Sequence, residues 1–121
     1  MSTHKVRATE ILYSRANRRL DIVFDNSNRY SFTAEFLRVE SPSAEVRGHG
    51  AGTKQAVPGR RHVGIVKIEP VGNYAVRLHF DDGHDSGIYS WAYLQELGET
   101  EDELWGAYLK ALAAAGLSRD P

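Results

Sequence analysis

The sequence predicts a small α+β domain, mainly antiparallel in its sheets, made of two pseudo-repeated strand–strand–helix units with a C-terminal helix. Three observations carry the prediction. Apolar residues alternate with period two through Leu20, Ile22 and Phe24 and again through Val76, Leu78 and Phe80, the pattern of a half-buried strand. Each run ends in a matching turn, Phe24-Asp25-Asn26-Ser27 and Phe80-Asp81-Asp82-Gly83, dense in turn formers. After each turn come a return strand, a hydroxyl residue suited to capping a helix (Thr33, Ser90) and an aromatic-Leu pair, Phe36-Leu37 or Tyr93-Leu94.

Taken in order, Thr9–Ser14 is a first strand around Ile11-Leu12-Tyr13, Arg15–Arg19 turns the chain, and Leu20–Phe24 is the second strand. Arg29–Phe32 returns, and Thr33 caps a short helix, Ala34–Val39, that buries Phe36 and Leu37. In the second half, Val63–Val71 is β-rich, Gly72-Asn73 turns, and Val76–Phe80 and Ser86–Tyr89 are strands. Ser90 then caps a helix bearing Trp91, Tyr93 and Leu94, with Gly98 expected at its C′ position. Leu20 to Leu37 is 17 steps and Val76 to Leu94 is 18, so the units match with one inserted residue. One such unit cannot bury its own apolar face, whereas two can cover each other.

The units are joined by residues 40–61, which hold Pro42, Gly48, Gly50, Gly52, Pro58 and Gly59 and show no periodicity. A connection this long inside a domain is uncommon and often functional. The tail is different. Thr100-Glu101-Asp102-Glu103 reads as a capping box with acids at the positive end of the helix dipole. Leu104, Trp105, Tyr108, Leu109 and Leu112 form an apolar stripe at helical spacing, ended by Gly116. An amphipathic helix over 100–116 that packs on the domain is expected, with homodimerisation as its alternative use.

The 121 residues suit a single domain, 1–121. Hydrophobic residues make up 41% and charged residues 26%, too apolar a mixture for general disorder. No apolar run reaches the roughly 20 residues of a membrane span, and the polar start Met1–Arg7 does not read as a signal peptide. The lack of cysteine excludes disulfides and thiolate metal sites, and it fits an expected cytoplasmic location. The net charge of −1 is unevenly spread: residues 1–61 carry eleven Lys/Arg against six Asp/Glu, and residues 62–121 four against ten. That total is too balanced for an electrostatically driven nucleic-acid binder. The split reads as solvated surface or an aid to self-association.

Four constellations could carry chemistry. His79-Phe80-Asp81 matches the His-x-Asp part of an iron facial triad, but six strands fall short of the eight of the usual scaffold. His49, flanked by Gly48 and Gly50, can recognise an anion together with Arg47 and Lys54; a plain glycine loop is the simpler reading. His84 lies among Asp81, Asp82 and Asp85, three carboxylates that can ligate a cation or raise the imidazole pKa. Turn acids more often only stabilise their turn. Ser41, Ser43 and Ser86 show no base at a spacing that would make them nucleophiles.

The segment Gly87-Ile88-Tyr89-Ser90-Trp91-Ala92-Tyr93-Leu94 and the loop Ser41-Pro42-Ser43-Ala44-Glu45-Val46-Arg47-Gly48-His49-Gly50 resemble the gamma-butyrobetaine hydroxylase-like N-terminal domain, including its small stand-alone bacterial members. The resemblance covers residues 8–98. In the hydroxylases such a domain precedes a larger oxygenase domain holding iron and 2-oxoglutarate, and a similar module is appended to iron–sulfur cluster carrier ATPases. The oxygenase part has no counterpart here, so the resemblance implies an accessory module and does not carry the family's oxidoreductase activity over. It also implies a structural zinc held by three cysteines and a histidine. The histidine corresponds to His84, while Ser41, Ser43 and Val46 stand at the cysteine positions. Hydroxyls and valine replace thiolates, so no cofactor is expected and the four-ligand zinc site should be lost. His49 joining His84 in a weaker site is the alternative. Without the metal tie, residues 44–60 are expected to be mobile.

The expected function is a non-catalytic interaction module with a protein partner, of metabolic or iron–sulfur/metallocofactor type. A small-ligand or metal-binding protein using His84 and His49 is the alternative. The candidate loop residues are Ser41, Ser43, Arg47, His49 and Asp82.

Overall fold

Strands β1 (Ala8–Ser14), β2 (Arg19–Phe24) and β3 (Arg29–Thr33) form one antiparallel sheet in chain order. Strands β4 (Ile65–Val71), β5 (Ala75–Phe80) and β6 (Ile88–Ser90) form a second sheet of the same design. Helix α1 (Ala34–Val39) follows the first sheet, and α2 (Trp91–Glu99) and α3 (Glu101–Ala114) follow the second. This computed structural model describes residues 6–43 and 56–121.

The repeat is larger than the strand–strand–helix unit expected, because the strand in front of it recurs too. Residues Ala8 and Glu10 pair with Phe24 and Val23 across a bulge in β1; Ile65 and Lys67 pair with Phe80 and His79 across the equivalent bulge in β4. The turns agree bond by bond. Phe24 N–H donates to Asn28 O and Phe80 N–H to His84 O; Ser27 N–H donates to Phe24 O and Gly83 N–H to Phe80 O. Asp25 N–H donates to Arg7 O as Asp81 N–H does to Gly64 O. Ser27 and Gly83 both take positive φ, 72° and 90°, which this turn requires and which glycine adopts without strain. The helix caps recur as well: Thr33 Oγ1 accepts from Phe36 N and Ser90 Oγ from Tyr93 N, at 3.0 and 3.1 Å. From Asn28 to Thr33 is five steps, and from His84 to Ser90 six, so the inserted residue lies between the second turn and β6.

Alternation puts Leu20, Ile22 and Phe24 of β2 and Val76, Leu78 and Phe80 of β5 into one core, with Phe32, Phe36, Leu37, Tyr89 and Leu94. Each buried side chain of this size stabilises by about 1.5–3 kcal/mol relative to exposure. The two sheets thus bury each other's apolar faces. Aromatic rings run on from Phe24 through Tyr30, Phe32 and Phe36 to Trp105 and Tyr108, with centroids 5.2–6.3 Å apart, and attach α3 to the core. Helix α3 therefore packs on the domain through Tyr108 and Leu112, while Leu109, assigned to the same stripe, is 40% exposed.

Two local expectations fail. Gly98 does not terminate a helix but lies inside α2, because the Tyr30 ring occupies the place of a side chain: a Cβ at Gly98 would stand 2.4 Å from Tyr30 Cδ1. Thr100 makes no side-chain cap to α3; its hydroxyl donates to Glu96 O at 2.8 Å and closes α2 instead. At the far end Gly116, with φ 69°, ends α3 as expected, its N–H donating to Ala113 O and Leu117 N–H to Leu112 O. No helix among the described residues is long and apolar enough to cross a membrane.

Candidate functional site

The candidate site is a seam between the end of α1 and the second turn. Beyond α1 the chain runs through Glu40 to Ser41 and Ser43, and across the seam Asp82 and His84 descend from the β5–β6 turn. His84 Nε2 lies 2.8 Å from Ser41 Oγ and 3.4 Å from Ser43 Oγ, and the two hydroxyls are 3.4 Å apart. All three residues are buried, Ser41 completely. Gly87 makes the approach possible, since a Cβ there would stand 2.5 Å from Ser41 Oγ. The inserted residue thus lies in the segment that turns Gly87 towards α1.

Tyrosines from the second repeat fasten the same end of α1. Tyr89 donates its hydroxyl to Leu37 O and Tyr93 to Glu40 O, supplying carbonyls that have no partner within the helix. Burial pushes the Tyr89 phenol far above its ordinary pKa, against a smaller downward pull from its hydrogen bond with Ser41.

Beside the Ser–His cluster is an ion triad. Asp82 Oδ2 lies 2.7 Å from Arg38 Nε and 2.7 Å from Arg60 Nε, and Oδ1 accepts the His84 N–H at 3.0 Å. Burial opposes ionisation of Asp82. It is outweighed by hydrogen bonds from the His84 amide and Arg38 and by both guanidinium charges, so the carboxyl pKa is held below its usual value. Arg60 is presented by its neighbours: Gly59 N–H donates to Ser118 O and Arg61 N–H to Arg119 O. Arg119 in turn grips the buried Glu35 of α1 with two bonds, at 2.8 and 2.6 Å, and lies over the Trp105 ring.

Of the predicted site residues, Ser41, Ser43, Asp82 and His84 come together. Val46, Arg47, His49 and Lys54 lie outside the described residues, so the pairing of His49 with His84 does too. Of the stretch 44–60 that was expected to be mobile, 44–55 lie outside the described residues, and at 56–60 Tyr108 Oη donates to Val57 O and Gly59 N–H to Ser118 O. Of the carboxylates that flank His84 in sequence, Asp82 turns to the arginines and Asp85 lies 3.9 Å from His79. His79 itself pairs with Glu69 at 3.0 Å. No group of three or more His, Cys, Asp or Glu among the described residues is arranged to hold a metal.

Zinc does not fit the donors that do converge. A zinc tetrahedron with bonds of 2.0–2.3 Å has edges of about 3.3–3.8 Å, and its usual donors are thiolate, imidazole and carboxylate. The Ser41–His84 edge is a hydrogen bond of 2.8 Å, and both serine donors are hydroxyls. Nor does the pair form a hydrolase site. The Ser–His distance suits an activated nucleophile, but Ser41 is 0% exposed, unlike a nucleophile presented to a substrate.

Sequence reasoning missed Arg38, Arg60, Tyr93 and Arg119, whose partners lie 44 or more positions away for Arg38, Tyr93 and Arg119 and 22 for Arg60. Away from the seam, a groove of about 770 Å³ runs between the start of β1, the β4–β5 turn and α2, lined by Val6, Arg7, Asn73, Tyr74, Trp91 and Gln95, and a smaller hollow of about 170 Å³ is lined by Tyr13, Arg18, Gly64 and Asp81. Tyr74 is 57% exposed in the groove, and Trp91 donates its indole N–H to Asn73 O at 2.9 Å.

Comparison with known proteins agrees with this fold. Residues 11–95 match the family model described as gamma-butyrobetaine hydroxylase-like, N-terminal. Two NMR solution structures are similar over nearly the whole chain. One is 48% identical, with 95% of this chain and 90% of that one covered and a TM-score of 0.82. The other is 46% identical, with 100% and 92% covered and a TM-score of 0.84. A crystal structure of a protein of unknown function from Acidithiobacillus ferrooxidans ATCC 23270, of the DUF971 family, is 38% identical, with 76% and 92% covered and a TM-score of 0.65. No curated protein matches.

Proposed function

Since the chain belongs to the gamma-butyrobetaine hydroxylase-like, N-terminal family, we propose that it is a non-catalytic interaction module serving a metabolic or iron–sulfur/metallocofactor protein. The observation that carries this reading is where the reactive groups lie. Ser41, Ser43 and His84 are buried and consumed by bonds to one another, so the seam joins the two halves of the fold and offers nothing to a substrate. What the surface does offer is the aromatic groove at Tyr74 and Trp91, and exposed aromatic side chains are the usual anchors of protein contacts.

The reading is tested by affinity capture from native lysate with the whole chain and with Tyr74→Ser, whose side chain is exposed and outside the core. A defined protein recovered repeatedly by the wild type and lost with Tyr74→Ser is the expected result. Repeated capture of nothing, or a partner indifferent to Tyr74→Ser, goes against it.

A further inference from the structure

The family resemblance places a metal where this chain has donors that do not suit one, yet the segments such a metal would tie are tied. We propose that the Arg38–Asp82–Arg60 ion triad is the clamp of the seam, holding by charge the joint that a zinc ion would hold by coordination. One carboxylate gathers the three segments concerned. Arg38 comes from α1, just before Ser41; Arg60 comes from the far end of the long connection; and the His84 amide comes from the second turn.

The clamp is specific to this turn. Its counterpart in the first turn is Asn26, which is neutral; its Oδ1 accepts the Asn28 N–H and its amide donates to Gln95 at 3.2 Å on the surface. Arg38 is only 7% exposed, and the Asp82 carboxylate at 2.7 Å compensates its buried charge. Backbone bonds on both sides of Arg60 hold its side chain in reach of Asp82. The Ser41–Ser43–His84 cluster then fills the space beneath with hydrogen bonds alone.

The test uses the whole chain and reads amide hydrogen exchange at Gly59, Arg61 and His84, with Leu78 as a core reference. The variant Arg60→Gln removes a partly exposed arm of the triad and keeps the fold; Asp82→Asn is the second variant. Exchange at Gly59, Arg61 and His84 is expected to quicken about tenfold or more in Arg60→Gln, with Leu78 little changed. In the wild type, EDTA and stoichiometric zinc chloride should leave exchange and the His84 resonances unaltered. Exchange within about twofold of wild type in both variants overturns the proposal. So does a His84 shift at one equivalent of zinc, or faster exchange in EDTA. The experiment needs no partner, so its outcome is separate from that of the interaction reading.

Discussion

At Phe24–Asn28 and at Phe80–His84 the chain makes the same turn with the same hydrogen bonds, but Asn26 ends at the surface on Gln95 whereas Asp82 collects two arginines. The contrast continues through the repeat. Phe32 and Phe36, one before and three after the first cap, stand where Tyr89 and Tyr93 stand around the second. The two added hydroxyls are the ones that cross to the carbonyls of α1. Backbone programme and side-chain duty are thus separable. The first unit contributes α1, with every residue buried, and the second contributes the tyrosine hydroxyls and the Asp82 carboxylate that grip its end.

The strongest way to break that grip is to ionise it. Burial raises the Tyr89 phenol, and burial with the nearby Glu35 charge raises Tyr108 to about 12, against an unfolded value of 10.0. A group whose folded pKa is raised contributes stability that is whole below its unfolded pKa and lost as pH rises through the folded one. The chain should therefore lose stability progressively above about pH 10. Thermal melts between pH 8 and 12 measure this, and a flat profile would contradict it. Next in size is Asp82→Ala, which strands Arg38 and should cost about 3 kcal/mol, whereas Asn26→Ala at the matching position should cost only about 1 kcal/mol. Urea titrations compare the two; equal losses would erase the distinction between the turns.

Gly87→Ala sharpens the role of the inserted residue. Its Cβ would meet Ser41 Oγ, at a cost of about 2 kcal/mol, and the double variant with Ser41→Ala should recover part of that loss. Strict additivity would place the strain elsewhere. The smallest effects are at the caps, where the repeats agree most closely. Thr33→Ala and Ser90→Ala should each cost about 1 kcal/mol, and a ratio far from unity in denaturant melts would show that even the caps have diverged.

Much of the fold was legible because it is local. Period-two alternation, turn formers and capping hydroxyls act within a few residues, and they located six strands, three helices and the duplication. The failures are cases where a distant side chain decides. Gly98 looks like a terminator until the Tyr30 ring is seen filling its missing side chain. Thr100 has the pattern of a capping box, yet its hydroxyl finds Glu96 O behind it. At the seam, Ser41, Ser43 and His84 were picked out through family resemblance and Asp82 through its turn. Nothing near Arg38 or Arg60 in sequence announces that both will meet one carboxylate.

The two meanders also bear on the order of folding. Each sheet joins only consecutive strands through short turns, so its loop-closure entropy is small and its contacts form early. The seam joins residues 41 and 43 positions apart across the connection, so it is the expensive closure. On these grounds the two hairpin sheets are expected to form before they dock, and the Ser–His–Asp seam to close last, so that weakening it should speed unfolding more than it slows refolding.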